Sequence, residues 1–209
     1  MFLNIVKFLV FPFAWFLFPT VYKGARNIPK GKAIFVCNHT SNADPVVLVM
    51  STWRKQYFLA KKELFKNWFM RSLMKFAHAF PIERGKTDLK AMKTSIKVLN
   101  NNNVLTIFPE GTRNKTEADL SEVKAGAAMF AIKTKTPIVP VWIKKKPLPF
   151  RPNTLRFGKA FTLEEFYDQK LTAEVLEKAG QKVAEKLLEN KIEFNKKEKK
   201  AKKQKTAQA

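Results

Sequence analysis

Residues 33–45 read AIFVCNHTSNADP, an unbroken apolar run handed to a polar loop that ends in Asp-Pro. Ala33 to Cys37 fits a buried β-strand, and Asp44-Pro45 fits a helix start with proline in the first helical position, so that Val46 to Thr52 continues as helix. Strand, loop and helix in that order mark an α/β unit. The same alternation extends outward. Gln56 to Ala60 is a strand candidate, Glu63 to Phe76 a helix, Thr87 to Asn100 a helix capped by Thr87 or Asp88, and Val104 to Phe108 the clearest internal strand. Further on, Val123 to Thr134 is helical and Ile138 to Ile143 is a strand whose Pro140 suggests an edge or a bulge. Leu155 to Phe157 fits a short edge strand, and Thr172 to Asn190 an amphipathic helix burying Val175, Leu176, Ala179, Val183, Leu187 and Leu188. The expected fold is α/β, a mixed and largely parallel sheet flanked by helices, with an N-terminal membrane-binding helical segment.

That segment, residues 1–19, is apolar apart from Asn4 and Lys7 and holds six Phe, Trp15, Pro12 and Pro19. At ~1.5 Å per residue it barely reaches across a ~30 Å hydrocarbon core, and Pro12 kinks it. A membrane-embedded or monotopic anchor fits better than a spanning helix, with a buried core helix as the alternative. A cleaved signal is disfavoured, because no basic stretch precedes the apolar run and no small-residue site follows it. The chain divides as 1–22 anchor, 23–194 α/β domain and 195–209 Lys-rich tail, the last expected to be solvated and mobile, with membrane or polyanion contact as the functional alternative.

Composition narrows the chemistry. The 209 residues carry 40 Lys plus Arg against 17 Asp plus Glu, a net charge of +23, of which residues 196–205 contribute +6. A body this basic attracts polyanions: nucleic acid, an anionic membrane or phosphorylated metabolites. One Cys excludes an internal disulfide framework, and two His with one Cys leave no material for a structural zinc site, so no metal is expected. Gly-rich nucleotide loops, a nucleophile elbow and paired zinc ligands are all missing, as is any nucleic-acid reading element.

Two polar segments remain, each directly after an expected strand. In the first, His39 and Asp44 are separated by four residues; on a continuous helix they would point about 140° apart, so their pairing requires a loop. An Asp that accepts from one imidazole nitrogen fixes the tautomer and frees the other as a general base. The bland alternatives are a structural His and an Asp serving as a plain helix cap. In the second, Phe108-Pro109-Glu110-Gly111-Thr112-Arg113-Asn114 presents a carboxylate, a turn and a guanidinium at a strand end. A third, Phe80 to Arg84, places charge after a short apolar run. If their strands lie parallel, His39, Arg84, Glu110 and Arg113 meet at one carboxyl edge, where open α/β sheets bind ligands.

The segments NHTSNAD and FPEGTRN, with Phe80 to Arg84 and TPIVPV at 136–141, resemble the four blocks of the glycerolipid acyltransferase family. The second block departs from the family by having His78-Ala79 where Gly is common. The resemblance implies His39 as catalytic base and Asp44 as its partner, with Arg84, Glu110, Gly111, Thr112 and Arg113 binding a glycerol phosphate and Pro140 on the acyl-donor side. It implies no cofactor. The expected co-substrate is acyl-CoA or acyl-acyl carrier protein, the expected acceptor lysophosphatidate, with glycerol 3-phosphate or another lysolipid as alternatives. The expected partner surface is membrane phospholipid and the expected place the cell membrane, catalytic domain on the cytoplasmic face. Nucleic-acid binding is the remote alternative.

Overall fold

The computed structural model describes residues 11–83, 88–114 and 120–206. Seven strands form one sheet: β1 (Thr20–Lys23), β2 (Ala33–Cys37), β3 (Gln56–Lys61), β4 (Ala79–Ile82), β5 (Val104–Ile107), β6 (Ile138–Ile143) and β7 (Asn153–Phe157), ordered β1-β7-β6-β2-β5-β3-β4. From β6 to β4 all neighbours are parallel; β7 runs antiparallel to β6, and β1 parallel to β7. The helices are α1 (residues 11–17), α2 (Asp44–Met50), α3 (Trp68–Phe76), α4 (Leu89–Asn100), α5 (Gly126–Thr134) and α6 (Ala173–Thr206).

The apolar run AIFVC is buried at all five positions of β2. Ile34 and Val36 face a layer made by Val98, Leu99, Ala127, Ala131, Val183 and Leu187 from α4, α5 and α6. On the other face, Ala33, Phe35 and Cys37 join Val47 and Leu48 of α2 with Leu155 and Phe157. Side chains alternate across a strand, so helices on both faces leave β2 no polar position.

Several boundaries differ from expectation for local reasons. Glu63 to Phe76 is not one helix: Lys62–Phe65 is a 3-10 turn, and Asn67 caps α3 by accepting from the Phe69 and Met70 amides at 2.9 and 3.4 Å. A short amide side chain competes for backbone donors and restarts the helix there. Asp88 caps α4 by accepting from the Ala91 amide at 2.9 Å, whereas Thr87 lies outside the described residues. The last helix runs past Asn190, and α6 continues through residues 195–206. Phe194, just before this stretch, is buried, and within it Glu198 bonds the ammonium groups of Lys23 and Lys144. α5 begins at Gly126 rather than Val123.

Pro140 is not on an edge. It sits inside the sheet, paired with Val36 of β2, on a strand that β7 also flanks; the strand expected at Leu155 to Phe157 is likewise interior, because β1 covers it. The Pro140 carbonyl accepts from the Gly158 amide at 2.8 Å and the Asn190 side chain at 3.0 Å. Beyond Gly158 the partner chain carries one extra residue before Phe161 bridges Ile138. Such a bulge releases the ladder bond that proline cannot donate. Gly158 and Asn190 therefore lock α6 onto the sheet at closest approach. A Cβ on Gly158 would meet Asn190 and Pro140 side-chain atoms at 2.8 Å. Gly158→Ala should cost about 1–3 kcal/mol by overpacking, read from the urea unfolding midpoint; an unchanged midpoint would show that the α6 contact yields freely.

Candidate active site

Val36 and Ile107 are paired in the parallel β2–β5 ladder, and three residues beyond each lie His39 and Glu110. Both loops therefore leave the sheet side by side at its carboxyl edge. The Glu110 carboxylate joins them: it accepts from the His39 amide at 3.0 Å and from the Ser121 amide at 2.8 Å. The His39 carbonyl accepts from the Asn114 amide at 2.8 Å, so main-chain and carboxylate bonds hold the His39 backbone from both sides. Upstream, Asn38 is buried and pairs both its amide groups with Ile143, at 2.8 and 3.1 Å, fixing the end of β2 to the end of β6.

Asp44 is fully buried at the first turn of α2, yet its side chain does not cap that helix. Instead it turns back into the loop, where Oδ2 accepts from His39 Nδ1 at 2.8 Å, the Thr40 amide at 2.6 Å and the Ser41 amide at 2.8 Å. An ionised carboxylate only accepts, so Nδ1 is the donor, and the neutral form of the ring has its lone pair on Nε2. The His39 ring stacks on Phe108, with centroids 4.1 Å apart and planes inclined by 22°. Ring orientation is thus set by one hydrogen bond and one aromatic face.

His39 lines a cavity of about 810 Å³ whose walls are mainly apolar, drawn from α1, α2, β3, α3, β4 and α5. Its size lies in the range of sites for large ligands. Phe58, Met70, Met74, Ala79 and Phe130 are among its apolar walls, and Lys61, Glu83 and Lys124 add charge. Lys124 gave no signal in the sequence. It belongs here because the segment leading into α5 returns over the second loop: its amide donates to the Pro109 carbonyl at 2.9 Å, and its side chain crosses Gly111. Gly111 has φ +67° and ends a turn closed by its amide on the Phe108 carbonyl at 3.0 Å, a backbone that disfavours a side chain.

Of the residues singled out in the sequence, His39 and Gly111 line the cavity, and Asp44 and Glu110 lie buried behind them. Thr112 and Arg113 are exposed on the loop that Asn114 ties to His39. Arg84 lies outside the described residues. Pro140 is buried in β6 under α6 and is not among the cavity walls. Cys37 is fully buried, and its burial, followed by the charges of Asp44 and Glu110, holds its thiol well above the ordinary range. Ser41 spends its hydroxyl on the Ala43 amide and the Pro147 carbonyl. Neither is placed as a nucleophile.

Glu110→Ala would leave the His39 and Ser121 amides without their acceptor, so the variant should lose about 1–3 kcal/mol in urea unfolding. Wild-type stability would mean that water replaces the carboxylate without loss.

Residues 20–144 match the Acyltransferase family. Over 117 residues the chain is 35% identical to the 1-acyl-sn-glycerol-3-phosphate acyltransferase of Bacillus subtilis (strain 168), covering 55% of this chain and 57% of that protein. Over 110 residues it is 38% identical to the enzyme of the same name from Streptococcus pneumoniae (strain ATCC BAA-255 / R6), covering 52% and 40%. The chain thus spans about half the length of these curated relatives. Its fold matches the crystal structure of the 1-acyl-sn-glycerophosphate (LPA) acyltransferase PlsC from Thermotoga maritima, with TM-score 0.61, 25% identity, and coverage of 87% of this chain and 74% of that one. With a paired His and Asp on the carboxyl edge of the matching sheet and three fifths of its length inside the family match, the chain belongs to the Acyltransferase family.

Proposed function

We propose that this chain is a membrane-associated acyltransferase that moves a fatty acyl group from a thioester donor to the free sn-2 hydroxyl of lysophosphatidate, giving phosphatidate. One observation carries the reading: an imidazole oriented by a buried carboxylate at 2.8 Å lines a large apolar cavity. The names of the relatives support the acceptor.

In this reading His39 Nε2 takes the proton of the acceptor hydroxyl as its oxygen attacks the thioester carbonyl. The tetrahedral intermediate collapses with cleavage of the C–S bond, and the imidazolium returns its proton to the departing sulfur. Asp44 stabilises the imidazolium through Nδ1 and holds the tautomer throughout. A thiolate is a good leaving group, so no acyl-enzyme is required, consistent with the burial of Cys37 and the engagement of Ser41. The acyl chain occupies the apolar part of the cavity.

Arg113 and Arg84 grip the acceptor phosphate, with Gly111 and Thr112 shaping the loop between Arg113 and the base. Lys124, crossing Gly111, adds a third cation to that end. Holding the phosphate by planar guanidinium groups positions the hydroxyl, and positioning supplies much of the effective concentration. Glu110 serves the site by fixing the His39 backbone. The donor is acyl-CoA or acyl-acyl carrier protein, both anionic and suited to a +23 chain, and no cofactor takes part.

Membrane phospholipid is the proposed partner surface, with the catalytic domain on the cytoplasmic face of the cell membrane. Among the described residues no helix is long and apolar enough to span. Supporting a monotopic seat, Phe13, Trp15 and Phe16 of α1 are largely exposed, unlike the rings of a core helix.

His39→Ala should lower kcat for phosphatidate formation by about 10²–10⁴-fold with the fold retained by circular dichroism; a mutant keeping most of its activity would remove the proposed base. Arg113→Ala should raise the KM for lysophosphatidate about tenfold or more, as loss of a charge-assisted phosphate contact does. An unchanged acceptor KM would assign Arg113 to the loop alone.

A further inference from the structure

α3, Trp68–Phe76, contains six apolar residues among nine, and none of the nine is buried. A soluble helix normally hides its apolar stripe against the core. Here, at about 100° per residue, the surface divides into three stripes. Arg71 and Lys75 share the first, Trp68, Ser72, Phe76 and Phe69 the second, and Leu73, Met70 and Met74 the third. Leu73, Met70, Met74 and Phe76 line the cavity. Trp68 and Phe69 do not, and they are 76% and 61% exposed. The helix is therefore a wall with an apolar inner face and an apolar outer one.

We infer that α3 lies in the interfacial layer of an anionic phospholipid bilayer, its Trp68–Phe69 stripe inserted and its inner face closing the acyl cavity against the lipid. Residues 66–76 carry Lys66, Arg71 and Lys75 and no carboxylate, which complements anionic headgroups. Tryptophan and phenylalanine beside a cationic stripe match a helix lying in the plane of the interface. The contact is separate from the one proposed for α1. It rests on the acyl-transfer reading only for why the cavity should face lipid: a chain leaving the bilayer then passes along Met70 and Met74 without crossing water.

The experiment reads position, not turnover. Full-length Phe69→Cys carries an environment-sensitive fluorophore; Cys37, fully buried, is protected from the label. Lys178→Cys on the exposed surface of α6 is the control. Each is mixed with vesicles of equal phosphatidylglycerol and phosphatidylcholine brominated on their acyl chains. The label at 69 should shift to the blue and be quenched about twofold or more, as for a group seated in the headgroup and acyl boundary, with the label at 178 unchanged. Vesicle-bound protein with an unquenched label at 69 would overturn the assignment, as would a failure to bind vesicles. A concentration-dependent dimer that protects the label without lipid would replace the bilayer by a second copy of the chain. A quenched label in a protein inactive on lysophosphatidate would uphold α3 as a membrane contact while removing the proposed acceptor.

Discussion

A carboxylate withdrawn completely from water must be matched by donors, and Asp44 meets that demand with the loop it closes. Three donors, two from the backbone and one from the imidazole, converge on a single oxygen within 2.8 Å. Burying the charge alone would cost several kcal/mol, which these charge-assisted bonds offset. Since the donors are consecutive residues, the same interaction sets the loop, the start of α2 and the imidazole tautomer. Glu110 repeats the device one strand away and extends it to the segment leading into α5. The site is thus held by buried acids, while the exposed Arg113 stays on the adjoining loop.

Much of the central sheet was legible because its strands are wholly apolar. AIFVC and IVPVWI have no polar alternation to confuse them, and the loops that follow hold the chain's most concentrated polar chemistry. β1 escaped notice because four residues, TVYK, at an edge carry little pattern and follow an apolar run with no sharp boundary. Of the edge or bulge that Pro140 signalled, the bulge is the one present, in the segment after Gly158, which carries no local signal of its own. Lys-rich composition suggested a solvated tail after residue 194; its described side chains are mostly exposed, and α6 runs on through it because lysine is a good helix former and Glu198 pairs with Lys23 and Lys144.

Within the site, the His39–Asp44 pairing followed from the requirement for a loop, and the loop is there. The setting of Glu110 did not follow from its motif. Beside the ligand contact that its neighbours in sequence suggest, its carboxylate accepts from two backbone amides, one of them seventy-one residues away. Lys124 was invisible for the complementary reason: it stands in an unremarkable stretch and reaches the cavity only because the chain folds back across a glycine.

The reversed direction of β1 has a consequence for which side of the molecule does what. Because β1 is parallel to β7 and β7 opposes β6, Thr20 starts at the carboxyl edge of the parallel block, beside Asn153. Phe11 and Ala14 can therefore line the same cavity as His39. Had β1 run with the parallel strands, its start would lie at the opposite edge, a four-residue strand or ~13 Å away at about 3.3 Å per residue. One edge strand laid backwards thus gives the domain a polarity: the aromatic α1 and the paired His and Asp share a hemisphere, and a single orientation presents both.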